Sequence, residues 1–81
     1  MSQIEKLIEK FRVRPESLSY RDLHKVLTFL GCIEVQTKGS HVKWKHTELQ
    51  ADIIIPVHNN DCKDFYKRHA RKMFDSILKL Q

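Results

Sequence analysis

At Gly31 the spacing of apolar residues changes, and this change constrains the fold more than any other feature of the chain. Before it, Leu23, Val26, Leu27 and Leu30 recur at helical spacing, and Ser19 with Asp22 has the form of a helix start. The helix this predicts ends at Gly31, a residue able to take the left-handed conformation that follows a helix C-terminus. After Gly31 the period is two. Ile33, Val35 and Thr37 alternate with Cys32, Glu34 and Gln36 until Lys38-Gly39-Ser40 interrupts with turn chemistry. A second strand follows, in which Val42 and Trp44 share one face and His41, Lys43 and Lys45 the other, because successive strand side chains point to opposite sides. Past a loop around Thr47 to Ala51, Ile53, Ile55 and Val57 point one way, and Asp52, Ile54, Pro56 and His58 the other.

Helical spacing flanks this strand region on both sides. Ile4, Leu7, Ile8 and Phe11 form an apolar stripe, Ser2 and Glu5 supply a capping box, and the helix of about residues 3 to 12 stops before Pro15. Asn59-Asn60-Asp61 breaks the third strand. With Asp61 as N-cap, a long helix is expected to run to about Leu80, burying Tyr66, Ala70, Met73, Phe74, Ile77 and Leu80. The predicted order is α-α-β-β-β-α: an α+β fold with a three-stranded antiparallel sheet covered by helices on the Val42, Trp44, Ile53, Ile55 and Val57 face and open on the other. No linker, repeat or low-complexity segment divides residues 1–81, so one domain is expected.

A chain of 81 residues collapses to a radius of gyration of only about 12 Å, too small to enclose a deep pocket. That disfavours metabolic chemistry on a large cofactor, and no cofactor is expected. The longest strongly apolar stretch, Ile53 to Ile55 with Val57 beyond Pro56, is far short of the roughly 20 residues needed to span a bilayer. The N-terminus mixes charges without the order of a signal peptide. A cytoplasmic protein is expected, with Cys32 and Cys62 as free thiols.

The excess of 15 Lys+Arg over 10 Asp+Glu is unevenly placed. The open sheet face collects His41, Lys43 and Lys45, Lys38 sits in the adjoining turn, and no acid lies between Glu34 and Glu48. The last helix adds Lys63, Lys67, Arg68, Arg71, Lys72 and Lys79. Such fields suit nucleic-acid phosphate, although a basic face can also be merely solvated. Gly39 permits close approach of the backbone, Ser40 offers a hydroxyl, and His41 can titrate near neutrality beside Lys43. These groups suit RNA cleavage without a metal: a base takes the ribose 2′-OH proton, the oxygen attacks the neighbouring phosphate, and a cation stabilises the charge that develops.

The remaining candidates weigh less. His58 has open-face parity, and antiparallel pairing brings it toward His41 as a second acid/base candidate, while a structural role at a strand end is the alternative. His46 has covered-face parity and reads as a hydrogen-bonded structural residue, and His24 and His69 read as helix-surface positions. No pair of short Cys/His spacings forms a zinc motif, and Ser40 and His41 point to opposite faces, which disfavours a Ser/His nucleophile. Trp44 and Phe65 are candidates to stack bases, with core packing favoured for Trp44.

The run Lys38-Gly39-Ser40-His41, then Trp44 and His46, then Ile55-Pro56-Val57-His58, in this order between two helices, resembles the HicA toxins of bacterial toxin-antitoxin pairs. The resemblance covers residues 17–80 and leaves residues 1–14 as an additional N-terminal helix. It implies a double-stranded-RNA-binding-domain-like fold and a ribosome-independent mRNA interferase, a metal-independent endoribonuclease. It also implies that His41 is catalytic and that a HicB-type antitoxin covers it. On this reading Lys38, Gly39, Ser40, Lys43 and Lys45 contact RNA. A non-catalytic RNA-binding module is the alternative, and a pure protein-interaction domain a third.

Overall fold

The computed structural model describes residues 2–75. Helix α1 (Gln3–Val13) begins at the capping box: the Ser2 hydroxyl accepts from the Glu5 N–H at 3.3 Å, and the Glu5 carboxylate accepts from the Ser2 N–H at 3.0 Å. This reciprocal bonding satisfies donors that a helix start otherwise leaves orphaned. A short 3₁₀ turn at Pro15–Ser17 leads into α2 (Tyr20–Phe29), whose N-cap Ser19 accepts from the Asp22 N–H. Gly31 has a φ of +99°, as the end of that helix requires. Strands β1 (Ile33–Gln36), β2 (His41–Lys45) and β3 (Ile53–Pro56) form an antiparallel sheet in the order β1-β2-β3, and α3 (Asp64–Met73) follows. The expected α-α-β-β-β-α architecture is the one observed.

The core lies between the helices and one sheet face. Trp44, Ile53 and Ile55 are fully buried there with Leu23, Val26 and Leu27 of α2, and Phe11 of α1 meets Phe74 edge-on at 6.2 Å between ring centroids. Val42 is buried and Val57 partly so, as their parity predicts. Strand β1 behaves differently. Its register pairs Ile33 with Lys45 and Val35 with Lys43, so both apolar side chains lie on the open face, and Ile33 is 67% exposed.

The last helix departs from expectation at its start. Its N-cap is Lys63, not Asp61, and no side chain caps it. His58 and Asp61 instead exchange two backbone hydrogen bonds across Asn59 and Asn60, whose φ values of +53° and +63° suit a two-residue hairpin turn that asparagine tolerates. The Asp61 carboxylate is thereby turned back toward the fold. Its Oδ1 accepts from the N–H groups of Tyr20 and Cys62 and lies 3.2 Å from the Lys67 ammonium. Ala70 and Phe74 are buried as expected, but so is Lys67, at 5% exposure. Ile77, Lys79 and Leu80 fall outside the described residues. Both cysteines are free, and burial pushes the Cys32 thiol up to about 11.

Candidate active site

The uncovered face of the sheet presents His41, Lys43 and Lys45 along β2, with the apolar Ile33 and Val35 on one side and Ile54 and Pro56 on the other. His41 is the first residue of β2 and its side chain is exposed. Its backbone is braced from both sides. The Thr37 hydroxyl donates to the His41 carbonyl at 2.6 Å, and the Val57 N–H donates to the Ser40 carbonyl at 2.8 Å. The second bond matters because the Cα partner of His41 is Pro56, which has no N–H to offer the ladder. Between these braces Gly39 turns the chain with a φ of +73°, and a Cβ there would meet no atom within 4 Å. The glycine is thus required by backbone conformation rather than by crowding.

Electrostatics on this face differ from the sequence expectation in one respect. Asp52 lies beside the lysines, its carboxylate 3.7 Å from the Lys45 ammonium and 4.0 Å from that of Lys43. Continuing the β2–β3 register by one residue sets Asp52 opposite Lys45. The absence of acids between Glu34 and Glu48 along the chain therefore does not make the face free of them. The open-face parity of Asp52, read with antiparallel pairing, is the signal that locates it. The three groups are partly exposed, so this is a loose, screened cluster rather than a buried ion pair.

His58 follows Pro56 by two residues and lies diagonal to His41 in the register, at the mouth of a cleft of about 410 Å³. Pro56, Asp61, Cys62, Lys63 and Tyr66 complete the lining, so this cleft joins the His41 end of the sheet to the start of α3. His46 is structural, as its parity suggests. Its Nδ1 accepts from the Glu48 N–H at 3.0 Å, which makes Nε2 the donor to the Leu30 carbonyl at 2.9 Å. A Cβ on Gly31 would sit 3.3 Å from that Nε2, so a side chain there would press on the His46 ring. His24 is half-exposed, 3.4 Å from Glu34 and edge-on to Trp44 at 4.9 Å. Trp44 is fully buried and offers no face to a base.

The second basic surface is smaller than composition suggests. Lys67 is buried against Asp61, and Arg71 binds Asp75 and the Arg12 carbonyl, leaving Lys63, Arg68 and Lys72 exposed near α3. Among the described residues no three His, Cys, Asp or Glu side chains gather as metal ligands would.

With this geometry in view, comparison with known proteins decides the family. A family model described as the HicA toxin of bacterial toxin-antitoxin systems matches residues 20–79. The chain belongs to the HicA toxin family. No curated protein and no solved structure matches it. The HicA match begins at the first residue of α2 and takes in β1, β2, β3 and α3, so every open-face residue named above lies within it, while α1 precedes it. Membership makes the chain the toxin of a toxin-antitoxin pair, a role consistent with an RNase-type toxin and with an antitoxin as its partner. No helix among the described residues is long and apolar enough to cross a membrane.

Proposed function

We propose that this HicA-family chain is an endoribonuclease toxin that cleaves mRNA with His41 and is neutralised by a HicB-type antitoxin covering the open sheet face. The observation that carries this reading is the exposed His41 sharing one face with Lys43 and Lys45 in a chain of this family. In the proposed reaction His41 takes the proton from a ribose 2′-OH, and the oxygen attacks the adjacent phosphorus as the bond to the 5′ oxygen breaks. That leaves a 2′,3′-cyclic phosphate and a 5′-OH, the leaving oxygen receiving a proton from an acid. His58, diagonal to His41, is the candidate for that acid. Lys43 and Lys45, with Lys38 in the turn, hold the phosphate and stabilise charge on the phosphorane, while Gly39 and Ser40 let the backbone approach the substrate.

The same face accounts for neutralisation. Ile33 and Ile54, 67% and 49% exposed, flank the lysines, so a covering protein buries apolar area while its carboxylates take over Lys43 and Lys45. Purified wild type and His41→Ala, compared on one mRNA, test the proposal. A positioned acid/base group contributes about 10²- to 10⁴-fold, so cleavage should fall by that factor while RNA affinity stays the same. Equal cleavage by both proteins would remove His41 from the mechanism and move attention to His58.

A further inference from the structure

Phe65 is 65% exposed although it lies on a helix whose opposite side enters the core. What sets it apart from the other exposed apolar side chains is its aromatic and cationic surroundings. Its ring is parallel to the His69 imidazole, with an interplanar angle of 8° and centroids 6.2 Å apart, and edge-on to Tyr66 at 5.2 Å. On a helix, residues three and four apart are neighbours, so Phe65, Arg68, His69 and Lys72 occupy one outward stripe. This stripe is opposite the buried Lys67, Ala70 and Phe74. Arg68 and Lys72 make no ion pair among the described residues, in contrast to Lys67 and Arg71 on the inner side. The stripe therefore combines an accessible aromatic plane with two available cations.

It is also continuous with the site. The cleft between His58 and α3 is lined by Lys63 and Tyr66, and Tyr66 is the residue against which Phe65 rests. Lys63 lines that cleft as the N-cap of α3, the helix that carries Phe65, Arg68 and Lys72. We infer that the outward face of α3 is a second RNA-contact surface, where a base of single-stranded RNA stacks on Phe65 and Arg68 and Lys72 hold the flanking phosphates. A single strand is the partner because its bases present their faces, whereas paired bases are already stacked within a duplex. This inference rests on the RNA-cleaving reading above and extends it to how substrate is held away from the reacting bond.

The test measures binding of a labelled 2′-O-methyl single-stranded RNA of mixed sequence, which lacks the attacking hydroxyl and stays intact, to wild type, Phe65→Ala, Phe65→Leu and Phe65→Tyr. Circular dichroism checks that each variant folds, which the exposure of Phe65 favours. Base stacking lost by truncation to alanine corresponds to about 5- to 150-fold weaker binding. Phe65→Leu should lose nearly as much, and Phe65→Tyr, which keeps the ring plane, should bind like wild type. Arg68→Ala and Lys72→Ala should each lower the salt dependence of binding. Wild-type affinity in both Phe65→Ala and Phe65→Leu would overturn the inference while leaving the RNA reading intact, whereas no RNA binding by wild type would overturn that reading itself. Tighter binding of a duplex with the same Phe65 dependence would overturn the single-strand assignment. Loss of antitoxin binding with RNA affinity unchanged would reassign the stripe to a protein partner and overturn the inference as well.

Discussion

Under the proposed function, Asp52 tunes how strongly the open face attracts RNA. Its carboxylate lies within 4.0 Å of both Lys43 and Lys45, so an incoming phosphate competes with it for the two lysines. In Asp52→Asn both lysines are released, and RNA binding at low salt should tighten. The plot of log affinity against log salt should steepen by about 0.7 for each further phosphate that the lysines neutralise on a single strand. An unchanged slope, measured by titration at several salt concentrations, would mean that the carboxylate does not restrain the lysines. At this scale the sequence is informative about which residues share a face, because the alternation along β2 and β3 is strict, but not about which charges neutralise one another. Asp52 lies across a loop from Lys43 and Lys45, and parity places it on their face while strand register is needed to set it beside them. Lys67 is illegible for a related reason. A lysine on a basic helix looks solvated until Asp61, held by a hairpin turn, supplies its partner.

Among the elements, the hairpin between β3 and α3 is the joint between the sheet and the helices. Asp61 ties it to the N-terminus of α2 through Tyr20 and to the first turns of α3 through Lys67, beside the cleft that His58 lines. Asp61→Ala should lower unfolding free energy by about 2 kcal/mol, the loss of several hydrogen bonds reduced by the exposure of the carboxylate to water. The effect is pH-dependent in a defined direction. The Cys62 N–H, with the Lys67 ammonium and the Tyr20 N–H, holds the Asp61 carboxyl below its ordinary value of 3.8. Its contribution is therefore complete above that value and disappears as pH falls through the lower folded-state value. Urea unfolding of wild type and variant should show a gap that narrows between neutral pH and about pH 2. A gap that stays constant would mean that the charge of Asp61 is irrelevant to the joint. The elements themselves are largely readable, since a helical period, a period of two and a return to helix each leave a distinct trace. The start of α3 is not, because Asp61 has the chemistry of an N-cap, and only the left-handed backbone of Asn59 and Asn60 redirects it.

Across the whole molecule, α1 shares the core with the segment that the HicA family model matches. That match begins at Tyr20, yet Leu7 and Phe11 of α1 are buried in one cluster with Trp44 and Phe74. A domain of 81 residues is stabilised by only about 4 to 12 kcal/mol. Phe11→Ala, which removes a fully buried ring and leaves a cavity against Phe74, should cost about 3 to 5 kcal/mol. Chemical unfolding should then show a variant that has lost a large share of its stability or all of it, and a cost below about 1 kcal/mol would show α1 to be dispensable to the core. The sheet carries a different consequence. Its three strands lie side by side in the order in which they are made, so each new strand pairs with the one just completed. Domains that mix helices with such a sheet fold in roughly milliseconds, short beside the seconds that translation needs for a chain of this length. Under the proposed function, each newly released chain becomes harmful almost as soon as it leaves the ribosome, and a cell that makes it is safe only while its inhibitor is already waiting in excess.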